Sequence, residues 1–218
     1  METTTLPLPL PLPRRPRGRP ARNGLDYADT RALLVRRGIE ILTSQGVSAT
    51  ALDDVLKSIR VPKGSFYHYF ESKDAFVATT VDAYAEYFAR KLDRHFGNQA
   101  LTPLARLSVF VDDACRGMER HQFTRGCLVG NLGQEVSVLD ETLRLRLEAI
   151  FADWERRLAD CLSAAASSGE VAADLDCAAL AHAFWVGWEG AILRARLTRS
   201  VLPMRAFFTL FLSAVLQR

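Results

Sequence analysis

The sequence predicts an all-α protein of about nine helices, in which a three-helix domain with a helix-turn-helix precedes a larger helical domain. Nearly half of the residues (49%) are apolar and runs of β-branched residues are few, a composition that suits helices. Apolar residues also recur at three- and four-residue intervals, the period of an amphipathic helix. With 218 residues the chain is long enough to bury a substantial core.

The basic excess of the chain lies at its N-terminus. Residues 1–26 hold five arginines against Glu2 and Asp26, which accounts for the whole net charge of +3. The remaining residues are balanced in charge, so the body of the protein is not expected to bind polyanions in general. Any nonspecific attraction to nucleic acid would therefore come from this one segment.

Residues 1–25 are predicted to be a disordered basic arm, because leucine and proline alternate through much of its first half. Within it, the Pro-Arg-Gly-Arg-Pro sequence at residues 16–20 resembles the core of an AT-hook. Arg17 and Arg19 would then lie in a narrow A·T-rich minor groove, where glycine permits close approach. The alternative is a basic tail that attracts phosphates without reading sequence.

A DNA-binding domain is predicted over residues 26–72. Its first helix runs from Tyr27 to Gln45 and stops at Gly46, because glycine favours a helix C-terminus. Thr50 is expected to cap the second helix. The apolar face of that second helix, spaced at i, i+3, i+4 and i+7, is Leu52, Val55, Leu56 and Ile59.

The segment Val61–Phe70 is expected to supply the recognition helix after a tight turn at Arg60–Pro62. Lys63 and the helix N-terminus would meet phosphates, while neighbouring side chains reach base edges or backbone. From the spacing pattern alone, the alternative to a DNA-binding motif is a helix pair that only packs in the hydrophobic core. The predicted DNA contacts are Arg17, Arg19, Thr50, Lys63, Gly64, Ser65, Tyr67, His68, Tyr69 and Lys73.

Residues 73–218 are predicted to form a helical ligand-binding and dimerisation domain. The expected helices run from the Ser72 cap to about Phe96, from Pro103 to near Met118, and over Leu139–Ala166, Asp176–Leu197 and Pro203–Leu216. The last two are apolar enough to pair with a second copy, which predicts a homodimer; burial within one subunit is the alternative. Three glycines between Arg125 and Gln134 indicate a close approach of backbone or side chains.

Several classes of function are not expected. The four cysteines lie far apart in the sequence, at Cys115, Cys127, Cys161 and Cys177. No cysteine pair or histidine has the spacing of a zinc site, so neither a structural metal nor a disulfide scaffold is predicted. No cofactor is expected. The absence of a signal peptide and of a membrane-length apolar run predicts a soluble, cytoplasmic protein. Cys127, His121 and Glu135 are too loosely spaced for a nucleophile site, and an enzyme is not expected.

The Pro-Lys-Gly-Ser-Phe-Tyr-His-Tyr-Phe run at residues 62–70, followed by Ser-Lys-Asp at 72–74, resembles the end of the DNA-binding domain of the TetR family of bacterial repressors. The resemblance is strong over Tyr27–Phe76. It implies a transcriptional repressor that binds a palindromic operator as a homodimer and is released by a small effector. Arg60 departs from the family pattern, which usually has glycine in this turn.

Two further stretches, residues 125–135 and 184–195, are similar to the AcuR- and NemR-like subgroup of that family. Members of the subgroup respond to acrylate-type compounds or to reactive electrophiles and oxidants, which implies a similar effector here. The resemblance also implies that Cys127 is a redox sensor, while Arg196 replaces a lysine of the NemR-like pattern. The predicted ligand-binding residues are Cys127, Asn131, Glu135, Trp185, Trp188 and Glu189.

The residues themselves give Cys127 two interpretations. If a helix starts near Arg125, its dipole and the neighbouring Arg120 and His121 would favour a thiolate; otherwise Cys127 is a small buried hydrophobe. A small carboxylate ligand would need a cation, for which the candidates are Arg120, Arg125 and Arg194. The alternative function is a DNA-binding regulator without a small-molecule effector, either architectural or constitutive.

Overall fold

The computed structural model describes residues 26–135 and 140–216, and this part of the chain contains nine helices and no strand. The DNA-binding domain consists of α1 (Tyr27–Gln45), α2 (Leu52–Ser58) and α3 (Lys63–Phe66). The following helices are α4 (Lys73–Phe96), α5 (Pro103–Arg120), α6 (Leu128–Gly133), α7 (Glu141–Ser167), α8 (Cys177–Thr198) and α9 (Leu202–Leu216). The predicted all-α fold is confirmed. Arg17 and Arg19 lie outside the described residues.

Local capping signals explain where the helices begin. The Asp26 carboxylate accepts a hydrogen bond of 2.8 Å from the Asp29 N–H and starts α1. Ser72 caps α4 through the Ala75 N–H at 3.0 Å, as predicted. Pro103 opens α5, as predicted, because a proline in the first turn leaves no helical hydrogen bond unmade.

The predicted cap of α2 is wrong. Ala51 occupies the N-cap position and makes no side-chain cap bond. Thr50 is only 4% exposed, and its hydroxyl donates to the Gly46 carbonyl because the loop folds back on the end of α1. Thr50 therefore closes the α1–α2 loop and presents no exposed side chain to DNA, contrary to the prediction.

The turn between α2 and α3 is a Schellman motif. The Val61 N–H donates to the Leu56 carbonyl at 3.0 Å, and the Arg60 N–H donates to the Lys57 carbonyl at 3.2 Å. This pattern holds Arg60 at φ 59°, in the left-handed region that favours glycine. The turn thus keeps a glycine-type backbone although an arginine occupies it.

The long helix α4 links the DNA-binding domain to the C-terminal domain. It packs against α1 on one side and against α5 and α7 on the other. The C-terminal core contains a cluster of rings that contact one another: Phe88, Phe110, Trp154, Trp185 and Trp188. All three tryptophans are buried, so this cluster forms the densely packed core of the C-terminal domain.

The α8–α9 pair leaves large apolar side chains uncovered in the single chain. The most exposed are Val186 (64%), Leu197 (68%), Leu202 (70%) and Leu210 (71%). A surface of this kind typically marks a protein–protein contact. Among the described residues, no helix combines the length and the hydropathy that crossing a membrane requires.

Candidate DNA-binding surface and ligand cavity

The recognition segment exposes a short row of side chains. Lys63, Gly64, Tyr67 and His68 are exposed around α3, and Tyr67 retains 60% of its surface. Phe66 is fully buried against Phe70 and Phe76 and fixes the segment to the domain core; Ser65 is half-buried. The structure therefore brings five of the predicted DNA contacts together on one surface.

Lys63 is held by an acidic neighbour from α2. Its Nζ atom lies 2.9 Å from Asp53 Oδ1, and both side chains remain largely exposed. The hydrogen bond and charge of Asp53 raise the pKa of Lys63, so the ammonium group is fully charged at neutral pH. A DNA phosphate would have to compete with Asp53 for this cation.

Two other predicted DNA contacts, Tyr69 and Lys73, make contacts within the protein. The Tyr69 ring stacks on Tyr27 with centroids 4.9 Å apart. Lys73 Nζ donates to the Thr50 carbonyl at 2.9 Å and approaches the Val47 carbonyl at 3.4 Å. These contacts hold the α1–α2 loop and the start of α4 together, so Lys73 and Tyr69 position the recognition helix.

A cavity of about 550 Å³ lies behind the DNA-binding domain, between α1, α4, α5, α8 and the segment that leads into α6. Of the predicted ligand-binding residues, Cys127, Trp188 and Glu189 line it. Trp185 does not; its ring lies in the aromatic cluster, and its indole nitrogen is buried without a hydrogen-bond partner among the described residues. Of the predicted residues on α8, Trp188 and Glu189 thus line the cavity, whereas Trp185 does not.

The inner end of the cavity brings Tyr84, Cys127 and Glu189 together. Glu189 is partly exposed as a residue, but its Oε1 atom is shielded from solvent and has no partner among the described residues. Burial raises the pKa of Glu189 to about 7. Burial also raises the pKa of Tyr84 well above its ordinary value. At neutral pH Tyr84 is therefore uncharged, and Glu189 is only partly ionised.

Of the two interpretations of Cys127, the structure favours the small buried hydrophobe, because the residue is only 6% exposed. Burial raises the pKa of the thiol well above its ordinary value, and the Glu189 charge raises it further. The helix begins at Leu128, so Cys127 is its N-cap, and the sulfur accepts a hydrogen bond from the Gly130 N–H at 3.5 Å. The side chains that affect the Cys127 pKa are those of Glu189 and Tyr84, and neither is a cation.

The rest of the cavity wall is rich in cations. Its acidic members are Glu40, Asp113 and Glu189. Its five cationic members are Arg36, Lys91, Arg94, Arg120 and Arg125. Two of the three predicted cation candidates, Arg120 and Arg125, are thus present, whereas Arg194 is exposed on α8 outside the cavity. No cluster suited to a metal ion occurs among the described side chains.

Asn131 and Glu135, also predicted to bind the ligand, do not line this cavity. Both turn towards the DNA-binding domain from the far end of α6. Asn131 Nδ2 donates to the Thr43 carbonyl at 2.8 Å. The Glu135 carboxylate accepts from the Val47 N–H at 2.9 Å and from the Ser48 N–H at 2.7 Å.

Arg196 completes this contact from α8. It donates to Asn131 Oδ1 at 3.0 Å and to the Ser44 carbonyl at 2.9 Å. We call the contact of Asn131, Glu135 and Arg196 with residues 43–48 the α6 joint. Sequence reasoning could not find it, because the bonded partners are 87 to 152 residues apart in the chain.

The fold and the two candidate sites are those of a DNA-binding transcriptional regulator. Residues 31–80 match the family of bacterial regulatory proteins called the tetR family, and residues 103–211 match the tetracyclin repressor-like C-terminal domain. The chain belongs to the TetR family. Regulators of this family bind operator DNA and act as dimers.

Similar proteins of known name are transcriptional regulators. The chain is 48% identical to transcriptional regulator AcuR of Cereibacter sphaeroides over 197 residues, which cover 90% of this chain and 88% of the relative. It is 33% identical to the HTH-type transcriptional repressor NemR of Escherichia coli over 81% of this chain and 88% of the relative. The predicted membership of the AcuR- and NemR-like group is confirmed.

Solved structures agree with this assignment. The regulatory protein TetR from Rhodobacter sphaeroides superposes with a TM-score of 0.80 at 49% identity and covers 83% of this chain and 95% of its own. The reduced form of Escherichia coli NemR superposes with a TM-score of 0.74 at 26% identity, over 84% of this chain and 95% of its own.

Proposed function

We propose that the protein is a repressor that leaves its operator when a small unsaturated carboxylic acid, such as acrylate, occupies the cavity. The observation that carries this proposal is the cavity itself, about 550 Å³ in volume and lined by five cations. A pocket of this size suits a small ligand, and arginine side chains in its wall suit a carboxylate. The similarity to AcuR and NemR supports the same class of effector.

The two ends of the cavity suit the two ends of such a ligand. Arg120 and Arg125 offer bidentate partners for a carboxylate. The inner end, formed by Cys127, Glu189 and the Trp188 ring, is less charged and can accept the apolar part of the molecule. This polarity favours organic acids over neutral ligands and over cations.

Reversible binding of the acid is favoured over covalent capture. The elevated pKa of the Cys127 thiol leaves little thiolate at neutral pH, and the thiolate is the nucleophile in additions to activated alkenes. Cys127 then supplies a second, slower input, because strong oxidants can still convert a thiol to sulfenic acid when they reach it. The cavity gives such small oxidants a route to the sulfur.

Operator binding would use a homodimer whose α8–α9 surfaces pair. The exposed apolar side chains on these helices, including Val186 and Leu210, support that pairing. Each subunit would place Lys63, Tyr67 and His68 in a major groove. The two recognition helices of a dimer on a palindrome lie about 34–36 Å apart, one helical turn of DNA.

The test uses a fluorescent duplex selected from random-sequence DNA by binding to the wild-type protein. Acrylate titrated into this complex should lower the anisotropy, and it should raise the melting temperature of the free protein because it binds the folded state. Arg120→Ala and Arg125→Ala should weaken both responses. Arg194→Ala, on α8 outside the cavity, is the matched control and should keep them.

Two results would count against the proposal. Acrylate that neither releases the duplex nor shifts the melting temperature would remove it as the effector. If no short unsaturated acid, aldehyde or oxidant changed the complex, the protein would be a DNA-binding regulator without a small-molecule effector.

A further inference from the structure

We propose that Asp53 is a specificity-determining residue for DNA: it keeps Lys63 from the phosphates of nonspecific DNA and releases it only on the operator. This inference rests on the proposed operator contact of Lys63 and adds discrimination between sequences. Lys63 Nζ lies 2.9 Å from Asp53 Oδ1, and the side chains keep 66% and 45% of their surface exposed. Because both side chains reach solvent, a DNA phosphate can approach the same ammonium group.

The pairing of Lys63 is selective among the cations of the helix-turn-helix. Residues 52–70 expose three cationic side chains, those of Lys57, Arg60 and Lys63. Within the part of the chain that the structure describes, only Lys63 of these three has an acidic partner. The cation at the start of the recognition helix is therefore the one that the protein neutralises before it meets DNA.

Asp53 depends on Lys63 in turn. Its Oδ1 atom is shielded from solvent, and no neutral group among the described residues donates a hydrogen bond to it. Departure of the Lys63 ammonium would leave this charged oxygen without compensation, which costs free energy. The neighbouring Asp54 is different, because it is exposed and its side chain makes no bond in the described part of the chain.

The cost of opening this ion pair affects the two kinds of DNA differently. Nonspecific binding draws its affinity from cations that neutralise phosphates, and a lysine already paired with a carboxylate adds little to it. On the operator, base contacts from Tyr67 and His68 would fix the register of the domain and hold Lys63 against a phosphate. An exposed ion pair contributes up to about 1 kcal/mol, or about fivefold in affinity, so Asp53 can lower nonspecific binding several-fold.

The experiment compares Asp53→Asn with Asp54→Asn in the full chain. Both changes remove one negative charge from the first turn of α2, but only Asp53 holds Lys63, so Asp54→Asn is the matched control. Anisotropy is measured against salt concentration on the selected duplex and on a scrambled duplex of the same length. Asp53→Asn should bind the scrambled duplex about threefold more tightly, with a salt slope steeper by about 0.9, the share of one phosphate. On the selected duplex its affinity should change less than about twofold, with the slope of the wild type.

Removal of Lys63 should abolish this effect. In a Lys63→Ala background, Asp53→Asn should leave the salt slope on the scrambled duplex unchanged, because no cation remains to be released. Asp54→Asn should keep the wild-type ratio of the two affinities. Equal gains from Asp53→Asn on both duplexes, an unchanged slope on the scrambled duplex, or the same slope change from Asp54→Asn would overturn the inference. Each of these results would leave the operator contact of Lys63 standing, since that is tested by Lys63→Ala on the selected duplex.

Discussion

The carboxylate of Glu135, at the end of α6, lies 2.7 Å from the backbone nitrogen of Ser48, which is 87 residues earlier in the chain. This hydrogen bond joins the ligand-binding domain to the loop between the first two helices of the DNA-binding domain. Burial alone would raise the pKa of Glu135, but the bonds from Ser48 and Val47 and the charge of Lys73 lower it overall. The carboxylate is therefore ionised in the folded protein at neutral pH.

Replacement of Glu135 by glutamine should lower stability at neutral pH by about 1 kcal/mol, after allowance for partial exposure. Because the folded pKa lies below the ordinary value of 4.5, the stabilisation is present above that pH and is lost as the pH falls through the folded pKa. The difference in melting temperature between wild type and Glu135→Gln should therefore be largest near pH 7 and should disappear in acid. A constant difference across the range would contradict an ionic role.

Glu189 should show the opposite dependence on pH. Its pKa is raised from 4.5 to about 7, so the neutral form stabilises the fold at low pH and this stabilisation is lost as the pH rises through that range. Above neutral pH, the buried charge costs up to about 3 kcal/mol. Glu189→Gln should match the wild type in melting temperature near pH 5 and exceed it near pH 8. The exposed Glu86→Gln serves as control and should show no such crossover.

Arg60→Gly should stabilise the protein. Arginine at φ 59° carries a left-handed backbone penalty of about 1 kcal/mol, which glycine does not have. A gain of this size corresponds to about 2–4 °C in melting temperature for a chain of this length. Arg60→Ala, which removes the side chain and keeps the penalty, should give no gain. A melting temperature for Arg60→Gly at or below that of Arg60→Ala would show that the turn is unstrained.

Lys63 and Lys73 should separate DNA contact from structural support. Lys63→Ala should weaken binding to the selected duplex and lower the slope of log K against log salt by about one, the share of one phosphate. It should leave the melting temperature nearly unchanged, because Lys63 is exposed. Lys73→Ala should instead lower the melting temperature, because its Nζ atom holds the α1–α2 loop. An unchanged salt slope in Lys63→Ala would exclude its phosphate contact.

Tyr67→Ala should abolish specific binding without unfolding the protein, since 60% of the side chain is exposed beside Lys63. The measurement is the ratio of affinities for the selected duplex and for a scrambled duplex of the same length. Tyr69→Ala provides the comparison: its ring stacks on Tyr27, so its loss should appear first in thermal stability. Retained specificity in Tyr67→Ala would place the base contacts elsewhere.

The helices were predictable because their signals are local. Ser72 and Pro103 mark helix starts through contacts or geometry within one turn, and the sequence shows them directly. The signal at Thr50 was misleading, because its hydroxyl bonds back to Gly46 and leaves Ala51 as the cap. A residue's local preference for a helix cap is overridden where its side chain bonds instead to a neighbouring element, as Thr50 does.

The site was predictable only in part, for the same reason. Cys127 and Glu189, which the resemblance placed among the ligand-binding residues, line the cavity together with Tyr84. The resemblance also placed Asn131 and Glu135 among the predicted ligand-binding residues, but they do not line the cavity. Their bonds to Thr43 and to the α1–α2 loop span about 90 residues, and only the tertiary structure brings these groups together.

Reversible capture of an acid in the cavity is the central claim, and one variant tests it most directly. Cys127→Ser keeps a good helix cap and removes the thiol. The measurement is anisotropy of the bound duplex for wild type and Cys127→Ser, each titrated with acrylate and with hypochlorite. We predict that acrylate releases both proteins and that hypochlorite releases only the wild type. Failure of both compounds to release Cys127→Ser, together with a mass adduct of acrylate on one wild-type cysteine, would contradict the account and establish covalent sensing.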